Sequence, residues 1–283
     1  AELRRVRGTG YRHNKNTSRE SVLGVHPSGA IPVTGFDGFS GYYDVSLKRS
    51  RHAKLADQPG FTPVEGRLEI TDLLRGLLGE TRPDMVVHLA AQAGVRYSLE
   101  NPQAYADANL MGSFQLLEAV RAHPVRHLLL ASTSSAYGGN TALPFRETDP
   151  AVSPLTLYAA SKLAMEAMAH SYAHLFGIPT TAFRFFTVYG PWGRPDMALF
   201  LFTRKILAAE PIEVFSGGSA ERDFTYIDDL VHAIRRLIDA PPPGPGQGSP
   251  AGAFDTLSHC ALRSLSHGEH RRRAPRPARR YDW

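Results

Sequence analysis

Three apolar runs of strand length set the tightest limit on what this chain can become. Residues 84–91 (Asp-Met-Val-Val-His-Leu-Ala-Ala), 127–132 (His-Leu-Leu-Leu-Ala-Ser) and 180–186 (Thr-Thr-Ala-Phe-Arg-Phe-Phe) are nearly continuous in hydrophobicity. That is the pattern of parallel strands covered on both faces, not of strands with one wet face. Helical spacing fills the intervals, over roughly 103–122 and 155–175. Strands alternating with helices require right-handed crossovers, so the expected fold class is α/β with a doubly wound parallel sheet. Leucine spacing over 72–80 adds an earlier helix, and 31–37 (Ile-Pro-Val-Thr-Gly-Phe-Asp) reads as a short strand ending in an acid. Pro32 is tolerated only at the beginning of that strand or on an edge. Residues 224–239 read as strand, turn and helix, and the Pro- and Gly-rich stretch 241–248 reads as a linker with no periodic segment after it.

A net charge of +5 invites a nucleic-acid partner until the charge is located. Residues 1–31 hold six basic residues against Glu2 and Glu20, and residues 255–283 hold seven arginines against Asp255, Glu269 and Asp282. Each end therefore carries +4, and the rest of the chain nets −3. The basicity belongs to the ends, so the Arg271-Arg272-Arg273 run reads as a solvated tail and no nucleic-acid partner is expected. The single cysteine, Cys260, can form no internal disulfide. No apolar run is long enough for a membrane span and no secretory signal is visible, so no membrane partner and a cytoplasmic location are expected. The twelve histidines show no ligand spacing, so no metal is expected.

The chemistry concentrates in Tyr158-Ala159-Ala160-Ser161-Lys162, on the helix that follows Pro154. Tyrosine and lysine at i and i+4 share one helical face. A free phenol, with pKa near ~10, is a poor base at neutral pH, and a neighbouring ammonium favours its ionised form. Upstream, Ser132-Thr133-Ser134-Ser135-Ala136-Tyr137-Gly138 follows a buried strand, so its hydroxyls emerge at the carboxyl edge of the sheet. Ligands of open α/β sheets bind at that edge. A hydroxyl there can hydrogen-bond both a reacting substrate oxygen and the phenol. Either motif alone is ordinary, a surface pair on a helix or a serine-rich turn; their coincidence is not.

Further motifs extend the pattern. Ala91-Gln92-Ala93-Gly94-Val95-Arg96-Tyr97-Ser98, the serine loop, the Tyr158/Lys162 pair, the stretch Arg184-Phe185-Phe186-Thr187-Val188-Tyr189-Gly190-Pro191-Trp192-Gly193-Arg194-Pro195-Asp196-Met197, and Arg222-Asp223-Phe224-Thr225-Tyr226-Ile227-Asp228-Asp229 occur in order. Together, over about 32–240, they resemble the NAD-dependent epimerase/dehydratase family of extended short-chain dehydrogenases/reductases, and within it the UDP-glucuronate 4-epimerases. The resemblance implies a Rossmann-like fold, NAD as cofactor, a UDP-glucuronate-class nucleotide sugar as partner, and a homodimer. It implies Thr133, Tyr158 and Lys162 as the catalytic triad. Asp37 would hold the adenosine ribose, Ala90, Ala91 and Asn109 would line the NAD site with Tyr158 and Lys162, and Phe185 would pack near the nicotinamide. Ser134, Thr187 and Arg194 would face the sugar and its carboxylate, while Arg222 would hold the diphosphate. A planar guanidinium suits both anions. Related dehydratases place an acidic pair where this chain has Ser134 and Ser135, and related decarboxylases a glutamate at the second of these, so the resemblance points to epimerisation.

The division implied is 1–31 unmatched and basic, 32–190 NAD-binding, 191–240 nucleotide-sugar-binding but incomplete, and 241–283 linker and basic tail. A glycine-rich turn that would receive the pyrophosphate is not recognisable: Gly8 and Gly10 begin the frame, but His13 stands at its third glycine position. Two alternatives stay open: another NAD-dependent nucleotide-sugar epimerase or dehydratase, and a non-catalytic member with a defective cofactor site.

Overall fold

The described residues of this computed structural model are 32–140, 143–146, 148–214, 218, 222–242 and 254–258. Strand β4 (His127–Thr133) is buried along its whole length and organises the molecule. Because successive side chains of a strand alternate between faces, Leu128 and Leu130 enter one core and Leu129 and Ala131 the other. The first core is closed by α2 (Thr71–Thr81), α5 (Gly112–Ala122) and α6 (Leu157–Phe176) through Leu74, Leu78, Leu117, Val120, Met165 and Ala169. The second is closed by α8 (Ile227–Ile238), the helix after α7 (Ala198–Leu207), through Ile227, Leu230, Ile234 and Leu237. Each such leucine or isoleucine contributes about 1.5–3 kcal/mol by leaving water. Helices on both faces of a parallel sheet are the doubly wound arrangement expected from the sequence.

Among the described residues the sheet is divided. β3 (Met85–His88), β4, β5 (Thr180–Phe185) and β8 (Phe254–Ser258) form one parallel sheet in that order. β1 (Val33–Asp37) pairs with β2 (Phe61–Glu65) in a second, and β6 (Thr187–Tyr189) pairs with β7 (Phe224–Tyr226) in a third. Among the described residues no strand joins β1 to β3. The glycine frame at Gly8 and Gly10 lies outside the described residues, as do the Arg271-Arg272-Arg273 run and most of the linker.

Several expectations needed revision. Residues 103–122 are not one α-helix: beyond the short α3 (Tyr97–Glu100), α4 (Pro102–Tyr105) passes into a π-helical segment (Ala106–Met111) before α5. The wider turn carries the buried Asn109, whose side chain bonds to other segments, and such bulges recur at functional sites. A strand does follow the linker, since β8 pairs residue for residue with β5 from Thr180↔Phe254 to Arg184↔Ser258. Five residues with only Phe254 and Leu257 strongly apolar show no clear period, and the open edge of β5 supplies what the pattern lacks. Helix α1 (Val45–Ala56) and β2 were also illegible, the first because its residues are mostly polar and the second because Pro63 interrupts it. Asp44 caps α1 by accepting from Ser46 N at 2.8 Å.

Candidate active site

Helix α6 begins where Thr156 caps it, its hydroxyl accepting from Ala159 N at 3.2 Å, and ends at Gly177 in the left-handed conformation. This fixes Tyr158 in the first turn and Lys162 one turn below, on one face. Lys162 is buried, and its ammonium donates to the carbonyl of Ala131 on β4 at 2.7 Å. Thr133 closes β4, buried, with its hydroxyl accepting from Ser135 N at 3.1 Å, which turns the serine loop into a short 3₁₀ segment (Ser134–Tyr137). Thr133 pairs in register with Phe185 on β5. The structure thus brings Thr133, Ser134, Tyr158, Lys162 and Phe185 to the carboxyl ends of two neighbouring strands.

Asn109 reaches the same corner from the π-helical segment. Its amide accepts from Gln92 N at 2.8 Å and donates to Gln92 O at 3.1 Å and to Ser161 Oγ at 3.0 Å. This two-way bond fixes the backbone that runs on from Ala90 and Ala91, small residues that let a ligand approach closely. Tyr105 packs edge-on against Tyr158, ring centroids 6.1 Å apart. Its phenol donates to Ala93 O at 3.0 Å and to Gly94 O. Burial, and then the neighbouring Tyr42, push the Tyr105 phenol well above its ordinary range.

The loop after β1 closes the other side. A small cleft is lined by Ser40, Tyr42, Tyr43, Lys48, Ala91, Gln92, Ala93 and Arg194. Gly94 sits at φ +104°, and a Cβ there would lie 2.3 Å from the Tyr42 hydroxyl, so this approach requires glycine. Tyr42 donates to Asp196 at 2.9 Å, and burial together with that carboxylate pushes its phenol up to about 12. Arg194 forks onto Asp196, with Nε to Oδ1 at 2.9 Å. The Tyr158 phenol is one of the groups that act electrostatically on Arg194. Burial would raise the Asp196 carboxyl, but the bonds and charge of Arg194 and the bond from Tyr42 outweigh it and hold the carboxyl low.

Arg51, buried on α1, donates to the carbonyls of Trp192 and Gly193, the latter at 2.9 Å, and to Tyr43 Oη at 2.7 Å. Lys54 lies over the Trp192 ring at 4.1 Å. The loop that presents Arg194 is therefore clamped from α1, with Trp192 held at φ +60°.

Asp37 ends β1, half-buried, with Oδ1 accepting from Phe39 N at 2.8 Å. Thr187 opens β6, and Arg222 stands exposed just before β7, on the small sheet that pairs Thr187 with Phe224. Sequence reasoning missed Glu166, Tyr42, Tyr105 and Arg51. Of these only Glu166 left a signal, a carboxylate one further turn along the face of Tyr158 and Lys162.

Comparison with known proteins agrees with this geometry. The model of the NAD dependent epimerase/dehydratase family matches residues 31–248. The chain is 55% identical over 237 residues to a probable UDP-glucuronate 4-epimerase of Rhizobium meliloti (strain 1021), covering 83% of this chain and 70% of that protein. It is 46% identical over 241 residues to UDP-glucuronate 4-epimerase 2 of Arabidopsis thaliana, covering 82% of this chain but 55% of the relative. A crystal structure of UDP-glucuronic acid 4-epimerase from Bacillus cereus in complex with UDP-glucuronic acid and NAD superposes with TM-score 0.70 at 33% identity, over 80% of this chain and 68% of that one. The chain belongs to the NAD-dependent epimerase/dehydratase family.

Proposed function

We propose that this chain catalyses NAD-dependent C4 epimerisation of UDP-glucuronate to UDP-galacturonate through a 4-keto sugar. The observation that carries the reading is the placing of Tyr158 over the buried Lys162, whose ammonium is anchored to Ala131 beneath the serine loop. The 4-epimerase names of relatives near half identity support it over the dehydratase and non-catalytic alternatives.

The residues present fit the dinucleotide on two sides. Asp37, at the end of β1, suits ribose hydroxyls, and the Asn109–Gln92 bond with Ala90 and Ala91 leaves backbone open to close approach beside Tyr158, Lys162 and Phe185. When bound, NAD supplies reversible hydride acceptance at C4 of the sugar. Tyr158 takes the proton of the 4-hydroxyl as the ring becomes a ketone, then returns a proton after the ring has presented its other face. Lys162 stabilises the phenolate, and Thr133 orients the sugar oxygen. Ser134 and Thr187 bond the sugar, Arg194 its carboxylate, and Arg222 the diphosphate. On this reading residues 32–190 bind NAD and 191–240 the nucleotide sugar. We also place the protein in the cytoplasm as a homodimer, a state supported by the exposed Met111, Phe114, Leu175 and Phe176 on and beside α5 and α6. Light scattering at two concentrations tests the dimer.

The purified chain is denatured and its released nucleotide identified by absorbance and mass; UDP-glucuronate is then added to native protein. Retained NAD and formation of UDP-galacturonate are expected, with Tyr158→Phe lowering turnover by about 10²–10⁴-fold. Full activity in Tyr158→Phe would falsify the mechanism.

A further inference from the structure

Ser132, Glu166 and Arg184 belong to or adjoin the motifs of the site, yet none has a part in the reaction above. All three are buried. Glu166 Oε1 accepts from the Ser132 hydroxyl and from Arg184 Nε at 3.1 Å, and Oε2 accepts from the second Arg184 nitrogen at 2.7 Å. Ser132 and Arg184 are cross-strand partners on β4 and β5, and the next pair in register is Thr133 and Phe185. Glu166 therefore bridges two strands one residue below the groups proposed to meet the sugar and the nicotinamide. On α6, Glu166 lies one turn beyond Lys162 and two beyond Tyr158. Two successive turns of this helix are pinned to the sheet, Lys162 at Ala131 O and Glu166 at Ser132 and Arg184. The Arg184 guanidinium also lies over the ring of Tyr137, in the serine loop itself, 4.8 Å from its centroid.

We propose that Glu166 and Arg184 are positioning residues, whose buried ion pair fixes the register of α6 against the ends of β4 and β5. Tyr158, Thr133 and Phe185 then converge in one geometry. The inference rests on the epimerase reading. Stability alone gives no reason for such a pair, because well-packed apolar replacements of both partners are often neutral or stabilising. A carboxylate that accepts from two strands at once does what a leucine cannot: its bonds are directional, and a slip of α6 by a fraction of a turn breaks them together. Arg184 also engages both oxygens of Glu166, in competition with the i,i+4 pairing of Glu166 with Lys162 that an α-helix favours.

The test uses the full chain, with bound NAD quantified, and compares wild type with Glu166→Gln and the double variant Glu166→Leu/Arg184→Met. For Glu166→Gln, kcat is expected to fall by about 100-fold, the scale of an ångström-level misplacement, while KM for UDP-glucuronate and NAD content stay within about twofold. The double variant is expected to melt near the wild-type temperature and still show the depressed kcat, which separates positioning from folding. Hydrogen–deuterium exchange of the amides of residues 131–137 is expected to rise in both variants and to stay unchanged in β1 and β2. A double variant with wild-type kcat, or one whose kcat falls only with its folded fraction, overturns the proposal. Wild-type protein without turnover overturns the epimerase reading instead, and exchange then decides positioning by itself: unchanged protection of 131–137 in Glu166→Gln refutes it.

Discussion

Two arginine–carboxylate pairs flank the site, one below it and one at its mouth, and they live in different surroundings. Arg184–Glu166 lies between α6 and the main sheet with 8% of each side chain exposed, while Arg194–Asp196 lies on the loop after β6 with 27% of each exposed. The first also holds Ser132, and the second also holds Tyr42. Desolvation makes the buried pair costly to break singly, because the survivor is stranded without water. The pair at the mouth can rehydrate when it opens, and on the proposed reading Arg194 then exchanges the Asp196 carboxylate for that of the sugar. On that reading the same chemistry serves as a fixed strut in one place and an exchangeable contact in the other, and burial decides which.

The sharpest way to break this comparison is Arg184→Met, which leaves Glu166 buried and unpaired. Urea unfolding is expected to show a loss of about 3–5 kcal/mol; a loss no larger than at a surface pair would erase the distinction. Acid offers a second probe of the buried side. His127, at the start of β4, is fully buried with Nε2 2.9 Å from Thr181 Oγ1. Burial, and then the charge of Arg126, push it down to about 4. The folded chain keeps His127 neutral while the unfolded chain protonates it near ~6.5, so its contribution is complete above that pH and lost as pH falls toward 4. The loss is on the order of 3 kcal/mol, and it should vanish from the pH profile of a His127→Gln variant.

At the mouth, Asp196→Asn is expected to cost about 1 kcal/mol of stability and to lower KM for UDP-glucuronate, since the Arg194 fork is released. An increase in KM would mean that Asp196 holds Arg194 in its working position and does not compete for it. The smallest effect is expected where exposure is greatest. Arg49 and Glu65 pair at 3.1 Å with more than half of each side chain in water, and Glu65→Ala should leave the melting temperature unchanged by calorimetry.

Much of the placement of the proposed site was legible in the sequence. Tyr158 and Lys162 had to share a face because the helical period places i and i+4 together, and Thr133 had to emerge at a sheet edge because it ends a buried run. Glu166 escaped notice because a glutamate on a helix is usually solvated; only the approach of Arg184, 18 residues away in sequence, makes it a buried group. Arg51 escaped for the same reason at greater range, since its carbonyl partners lie 141 and 142 residues on. The expected continuous helix over 103–122 failed at Asn109, where a bond to Gln92 favours a π turn that no local propensity announces.

By itself, the sequence determined the alternation of buried strands and helices, the hydroxyl-bearing edge and the tyrosine–lysine face, all consequences of periods of two and of 3.6 residues along one chain. The tertiary structure alone decided that a strand at 254–258 completes the edge of β5, that α1 clamps the Arg194 loop, and that Glu166 finds Arg184. Local periodicity fixes which way a side chain faces. Which group meets it there depends on the packing of distant segments, and in this molecule that packing buries one arginine–carboxylate pair and leaves the other partly open to water.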